Sequence, residues 1–195
     1  MTEKVVDKNK RRFLISLTTI VGAIGVAFAS VPFLSSWLPS AKARAAGGPV
    51  DADLSSLEAG EMMTVEWRGK PVWIIRRTEE MLKSLTAISE KLRDPDSLVN
   101  QQPDYSKNIH RSLKPEILVL IGICTHLGCA PTYRPYINEL GPDWPGGFYC
   151  PCHGSTFDLA GRVFKGVPAP INLEVPPYYF INNNTIRIGE NAKNA

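Results

Sequence analysis

Cys124-Thr125-His126-Leu127-Gly128-Cys129 and Cys150-Pro151-Cys152-His153-Gly154-Ser155 are two short boxes inside the stretch Cys124–Phe157. All four cysteines of the chain and two of its three histidines lie there. Each box carries one Cys–His pair at close spacing, Cys124-x-His126 and Cys150-x-x-His153, and one further cysteine, Cys129 or Cys152. Two thiolates and two imidazoles brought from two loops are donors for a soft or borderline metal. Zinc could take all four tetrahedrally. A [2Fe–2S] cluster could take the cysteines on one iron and the histidines on the other. Zinc has no use for a further cysteine in each box, nor for Ser155.

The boxes CTHLGC and CPCHGS resemble, residue for residue, those of the Rieske iron–sulfur subunits of quinol–cytochrome c reductase, the bc1 complex. The resemblance implies one [2Fe–2S] cluster per subunit, with Cys124 and Cys150 on one iron and His126 and His153 on the other. It also implies a disulfide between Cys129 and Cys152, and a hydrogen bond from the Ser155 hydroxyl to a bridging sulfide of the cluster, which would raise its potential. Leu127 would cover the cluster and pack against the quinol pocket, and His153, with His126 beside it, would meet the quinol. Gly166-Val167-Pro168-Ala169-Pro170 is similar to the family's proline loop, which screens the cluster from a third side. Many relatives carry a tyrosine two residues after the serine; Phe157 stands there, which implies a lower reduction potential.

Outside the boxes, a 195-residue chain has room for one globular domain and an accessory segment. Its formal charge of +3 is small, and no basic stripe interleaved with aromatics accompanies the site, so nucleic acid is not an expected partner. The basic excess is largely local: Lys4, Lys8, Lys10, Arg11 and Arg12 precede a run, Phe13 to Ala41, without one charged residue. That run is long enough to cross a bilayer, and its positive flank should remain in the cytoplasm. Lys10-Arg11-Arg12-Phe13-Leu14 resembles a twin-arginine export signal, with Lys10 where the signal has Ser or Thr. Ala41-Lys42-Ala43 looks like a cleavage site, but the apolar run is longer than a signal core, so a retained anchor is expected. Pro32 would kink or end the helix. The expected organisation is a cytoplasmic N-terminus at 1–12, a transmembrane anchor at 13–38, a hinge linker at 39–49 and a β domain at 50–195.

Within that domain, 61–67 and 71–77 read as strands around the turn Arg68-Gly69-Lys70. Thr78 then caps a helix with Met81, Leu82, Leu85, Ile88 and Leu92 on one face, ended by Asp94-Pro95. His110 reads as a solvated histidine in a polar loop. Glu116 to Ile123 reads as a buried strand that delivers the chain into the first box. Leu173 to Val175, Tyr178 to Ile181 and Thr185 to Ile188 read as further strands. The fold class expected is mainly β: an antiparallel domain with one helical excursion and an inserted cluster-binding subdomain at about 117–170.

The resemblance covers nearly the whole chain. It implies a subunit that takes one electron from quinol, with proton release, and passes it to cytochrome c1. Cytochrome b and cytochrome c1 would be its partners in a dimeric complex, with ubiquinol as the quinol, the anchor in the bacterial inner membrane and the head in the periplasm. The alternative is a Rieske electron-transfer subunit of another exported oxidase, of the arsenite-oxidase kind. A hinge and a long retained anchor argue against it.

Overall fold

The computed structural model describes residues 7–40 and 47–192. The chain divides into two compact units, Met1–Ala45 and Ala46–Ala195. The first holds one helix, α1 (Lys8–Ser36), capped by Asp7, whose carboxylate accepts the backbone N–H groups of Asn9 and Lys10. Its 29 residues span about 44 Å at 1.5 Å per residue, enough to cross the ~30 Å hydrocarbon core of a bilayer. Pro32 does not end it; the helix runs one more turn to Ser36, where Ser35 and Ser36 turn back onto the carbonyls of Pro32 and Phe33. The proposed cleavage site and most of the expected linker fall on 41–46, outside the described residues.

The second unit is mainly β. Three antiparallel three-stranded sheets form it. The first pairs β1 (Val50–Asp53), β9 (Thr185–Ile188) and β8 (Tyr178–Asn182), with β9 central. The second orders β2 (Met62–Trp67), β3 (Lys70–Arg76) and β4 (Ile117–Ile121). The third is small: β5 (Thr132–Arg134), β6 (Gly147–Tyr149) and β7 (Thr156–Phe157). The β2–β3 connection tightens to Arg68-Gly69, both at positive φ (52° and 72°), so Lys70 already belongs to the strand. Positive φ at both central residues is what a two-residue hairpin needs to follow the strand twist. β4 is buried at all five positions, as its unbroken apolar run requires.

Two expectations change, and one strand had no sequence signal. Val50–Asp53 is a strand although it reads Val-Asp-Ala-Asp, because its partner, β9, lies at the other end of the chain and buries only Ala52. The helix, α2 (Glu79–Ala87), is capped by Thr78 as expected but stops before Ile88; a short 3-10 turn then carries Leu92 into the core. Leu173–Val175 joins no ladder. Its backbone instead bridges β4 and the 101 loop, through Ile121 N–H to Glu174 O and Val175 N–H to Gln101 O. Thr132–Arg134 was also illegible as a strand, since its three residues gain order only by pairing with β6.

The third sheet rests on the second through the Trp73 and Phe148 rings, stacked at 5.2 Å and 12°. Gly122, just past β4, is obligatory there because a Cβ would enter the Trp73 ring. Gly147 in β6 likewise lets the strand approach the Phe157 carbonyl. These close packings hold the small sheet, which carries both edges of the second box, against a buried apolar base.

Candidate metal centre

The two boxes fold into matched loops. In the first, Cys124 N–H donates to Cys129 O (2.8 Å) and Gly128 N–H to Cys124 O (3.0 Å). In the second, Cys150 N–H donates to Ser155 O (2.8 Å) and Gly154 N–H to Cys150 O (2.9 Å). Gly128 and Gly154 occupy equivalent places at φ 83° and 75°, a conformation that only glycine adopts without strain. β4 launches the first loop, and β6 and β7 frame the second. Cys129 and Cys152 are joined as a disulfide that links the two loops.

The remaining pair, Cys124 and Cys150, are free thiols, each 2% exposed. Burial pushes the Cys124 thiol up, and the neighbouring Cys150 thiol adds to this; the His126 backbone N–H and the Ser155 hydroxyl pull it down. The His126 and His153 rings sit 4.8 Å apart, edge to face, with His153 exposed and His126 half-exposed. The donors thus form two layers, sulfur inside and imidazole outside. Two facing buried thiols with no cationic side chain between them are costly to ionise together. A cationic centre removes that cost, so the donor set fits a cluster whose two irons have different ligands. The sulfurs of Cys129, Cys150 and Cys152 also lie within 4.8 Å of one another, but the disulfide occupies two of these and leaves no thiolate triad.

A strap crosses both loops. Ala169 N–H donates to Ser155 Oγ at 3.0 Å, and the Thr125 hydroxyl donates to Ile171 O at 2.6 Å. Pro168 and Pro170 have no N–H, so Ala169 is the donor the strap can offer at this point. Ser155 and Ala169 are both fully buried. With its oxygen accepting from Ala169, the Ser155 hydroxyl is free to donate toward Cys124 sulfur. The roles of Thr125 and Ala169 were missed in the sequence, since neither residue type signals a site and the contact joins distant segments.

Leu127 stands at the tip, 70% exposed. Phe157 is fully buried opposite Phe148 and offers no hydroxyl. His110 is only partly solvated, where the loop reading had it solvated: it is half-buried, its Nδ1 is shut from water without a partner, and its carbonyl accepts from Arg77.

The family model described as the Rieske [2Fe–2S] domain matches residues 49–177. A second, described as the "Ubiquitinol-cytochrome C reductase Fe-S subunit TAT signal", matches residues 1–40. A ubiquinol-cytochrome c reductase iron-sulfur subunit of Allochromatium vinosum is 58% identical over 197 residues, covering 100% of this chain and 95% of that one. The protein of the same name from Blastochloris viridis is 44% identical over 183 residues, 94% of each chain. The mitochondrial cytochrome b-c1 complex subunit Rieske of Solanum tuberosum is 41% identical over 187 residues, covering 94% of this chain and 63% of that one. With its boxes, disulfide and export segment all in agreement with these matches, the chain belongs to the Rieske [2Fe–2S] family, among the iron–sulfur subunits of ubiquinol–cytochrome c reductase.

Proposed function

We propose that this chain is the mobile-electron subunit of a membrane-bound quinol–cytochrome c reductase, taking one electron from ubiquinol and passing it to cytochrome c1. One observation carries the reading: two buried free thiols beneath two surface imidazoles, gathered by disulfide-linked twin loops. Cys124 and Cys150 would hold the inner iron of the [2Fe–2S] group, and His126 and His153 the outer one. When bound, the group supplies a one-electron acceptor whose potential is raised because neutral imidazoles replace two thiolates. His153, the more exposed imidazole, offers its free ring nitrogen to the quinol hydroxyl as hydrogen-bond acceptor and receives the proton. His126 lies beside it and can take the same part. Leu127 gives the tip an apolar surface on which a quinol-binding subunit can close. Ser155, held by Ala169, donates toward the Cys124 sulfur and favours added negative charge there.

The sequence has no haem-attachment Cys-x-x-Cys-His, and among the described residues one helix is long and apolar enough to cross a membrane, so cytochrome b and cytochrome c1 subunits are its partners in this reading. Helix α1 anchors it with the basic N-terminus in the cytoplasm and the β head in the periplasm, and the complex is a dimer. The test is a low-temperature electron paramagnetic resonance spectrum of the ascorbate-reduced membranes, repeated with a quinol-site inhibitor. An anisotropic mixed His/Cys signal that the inhibitor reshapes is expected. A mixed signal that an inhibitor bound to the complex leaves untouched would overturn the quinol assignment, and zinc in place of iron would overturn the cluster.

A further inference from the structure

Just beyond the second box, four ionisable side chains are closed off from water. Arg77, Arg111 and Arg162 are 3%, 0% and 1% exposed, and Asp158 is 0% exposed. All four converge on the turn 158–162 that follows β7. Asp158 accepts Arg162 Nε at 2.7 Å and the backbone N–H groups of Ala160 and Arg162. Arg77 donates to Leu159 O, and Arg111 to Ala160 O and Gly161 O. The other donors of these two arginines end on neutral oxygens, except Arg111 Nε, which is buried without a partner. Arg77 reaches His110 O, Pro115 O and Ser112 Oγ; Arg111 reaches Gln102 Oε1 and Leu173 O.

Carbonyl dipoles solvate these guanidinium groups but cancel no charge. Among the described residues, Asp158 is the one carboxylate bonded to the group; Asp94 acts on Arg111 and Glu116 on Arg77 only through space, so neither of these two guanidinium groups is ion-paired and the cage itself carries a net positive charge. Burial lowers both guanidinium groups to about 10, which leaves them cationic at neutral pH. Holding uncompensated charge in a protein interior is expensive. Neutral amide side chains could staple the same turn without that cost.

The cage sits close to the second box. Phe157 pairs with Phe148, two residues before Cys150, and Asp158 follows Phe157. At ~3.3 Å per residue along a strand and ~4.8 Å between strands, the turn begins about 11 Å from the Cys150 backbone. Protein, not salt water, fills the interior between them, so the charges are weakly screened.

We propose that the buried Arg77–Arg111–Arg162–Asp158 cage is a fixed electrostatic bias that raises the reduction potential of the group held by the boxes. The inference rests on Cys124, Cys150, His126 and His153 being its ligands. One electron arriving from quinol adds one negative charge at the boxes; a fixed positive surplus nearby lowers the energy of that state. The cage works through its field alone, with no bond to a ligand, so Arg77 and Arg111 are positioning residues of an electrostatic kind.

The test is a redox titration, followed by paramagnetic resonance, of the full-length subunit in its membrane complex. Arg77→Gln and Arg111→Gln should each lower the potential; a unit charge ~11–15 Å away at an effective dielectric constant of ~20 corresponds to a change of about six- to thirteenfold in the reduced-to-oxidised ratio at a fixed ambient potential. Asp158→Asn should raise it by a similar factor, and Arg77→Lys should leave it unchanged. The spectrum itself should not move in any of them. Opposite signs separate a field from structural damage, which would move all variants one way or distort the spectrum. Shifts of one sign, or none, overturn the proposal. Where a core variant fails to load iron, Glu116→Gln replaces it, since exposed Glu116 acts on Arg77 through charge from outside the core. At low ionic strength it should raise the potential, and no shift would overturn the proposal. A wild-type protein without a mixed His/Cys signal would instead refute the ligand assignment.

Discussion

Replacing Ser155 with Ala removes one oxygen that serves two neighbours at once. Ser155 Oγ accepts the Ala169 N–H at 3.0 Å in a fully buried position, which leaves its own proton free to be donated toward the Cys124 sulfur. In Ser155→Ala the Ala169 N–H is left buried without an acceptor, because Pro168 and Pro170 pin the strap and water does not reach it. An orphaned buried donor costs about 1–3 kcal/mol, which is the expected loss of stability. The sulfur loses a donor as well. A hydrogen bond to a charged acceptor contributes about 1.5–3 kcal/mol, and the part that differs between oxidation states is about 1–2 kcal/mol. At 59 mV per tenfold for one electron, the potential should fall by about 45–90 mV. Denaturant unfolding and a redox titration of the same preparation read the two effects separately, and Ser155→Thr, which keeps the hydroxyl, should restore most of both. A variant of unchanged potential would show that the hydroxyl does not act on the sulfur. Unchanged stability would show that the Ala169 contact carries no weight. If neither quantity changes, the reasoning is refuted altogether.

Phe157→Tyr places a hydroxyl in a fully buried position of β7 and should raise the potential by about 20–65 mV, the worth of one neutral hydrogen bond; an equal or lower value counts against it. The Cys129–Cys152 disulfide closes a loop of 23 residues' separation, worth about 3 kcal/mol in the chain-entropy account. Reducing it should therefore release iron before the far-ultraviolet β signal melts, and simultaneous loss of both would show that the bond supports the whole head instead. Burial, with Arg77 and then Arg162 nearby, holds the His110 imidazole below its ordinary 6.5. The folded protein thus binds fewer protons than the unfolded chain just below that pH, so stability should fall as pH drops through 6.5 and level off below the folded value. His110→Gln should flatten this slope, and an unchanged pH profile would exclude His110 as its source.

How much of this was legible in advance follows from how local each signal is. The boxes announce themselves, because a metal-binding loop must place Cys, His and Gly at fixed short offsets whatever surrounds it. The β2–β3 hairpin, the Thr78 cap and the buried β4 are local too, since turn chemistry, capping and an unbroken apolar run each act within a few residues. The apolar length of α1 is likewise a property of one segment.

Other features exist only by contact across the chain. Val50–Asp53 is a strand because β9 comes back to it, and nothing in Val-Asp-Ala-Asp requires that. Ala169 became the anchor of Ser155, and Thr125 the tie to Ile171, when tertiary packing laid the strap across both loops. Nothing in the sequence marks Arg77, Arg111 and Arg162 as buried. Arg77 and Arg111 are buried where the inward carbonyls of the 158–162 turn need donors, and Arg162 where it reaches Asp158 and the Leu85 carbonyl. Sequence by itself determined which residues can bind the cluster and what kind of chain carries them, since ligand chemistry is local. Tertiary structure alone decided that Ala169 anchors Ser155 and which charges stand behind the boxes, since burial and long-range hydrogen bonds are properties of the whole fold.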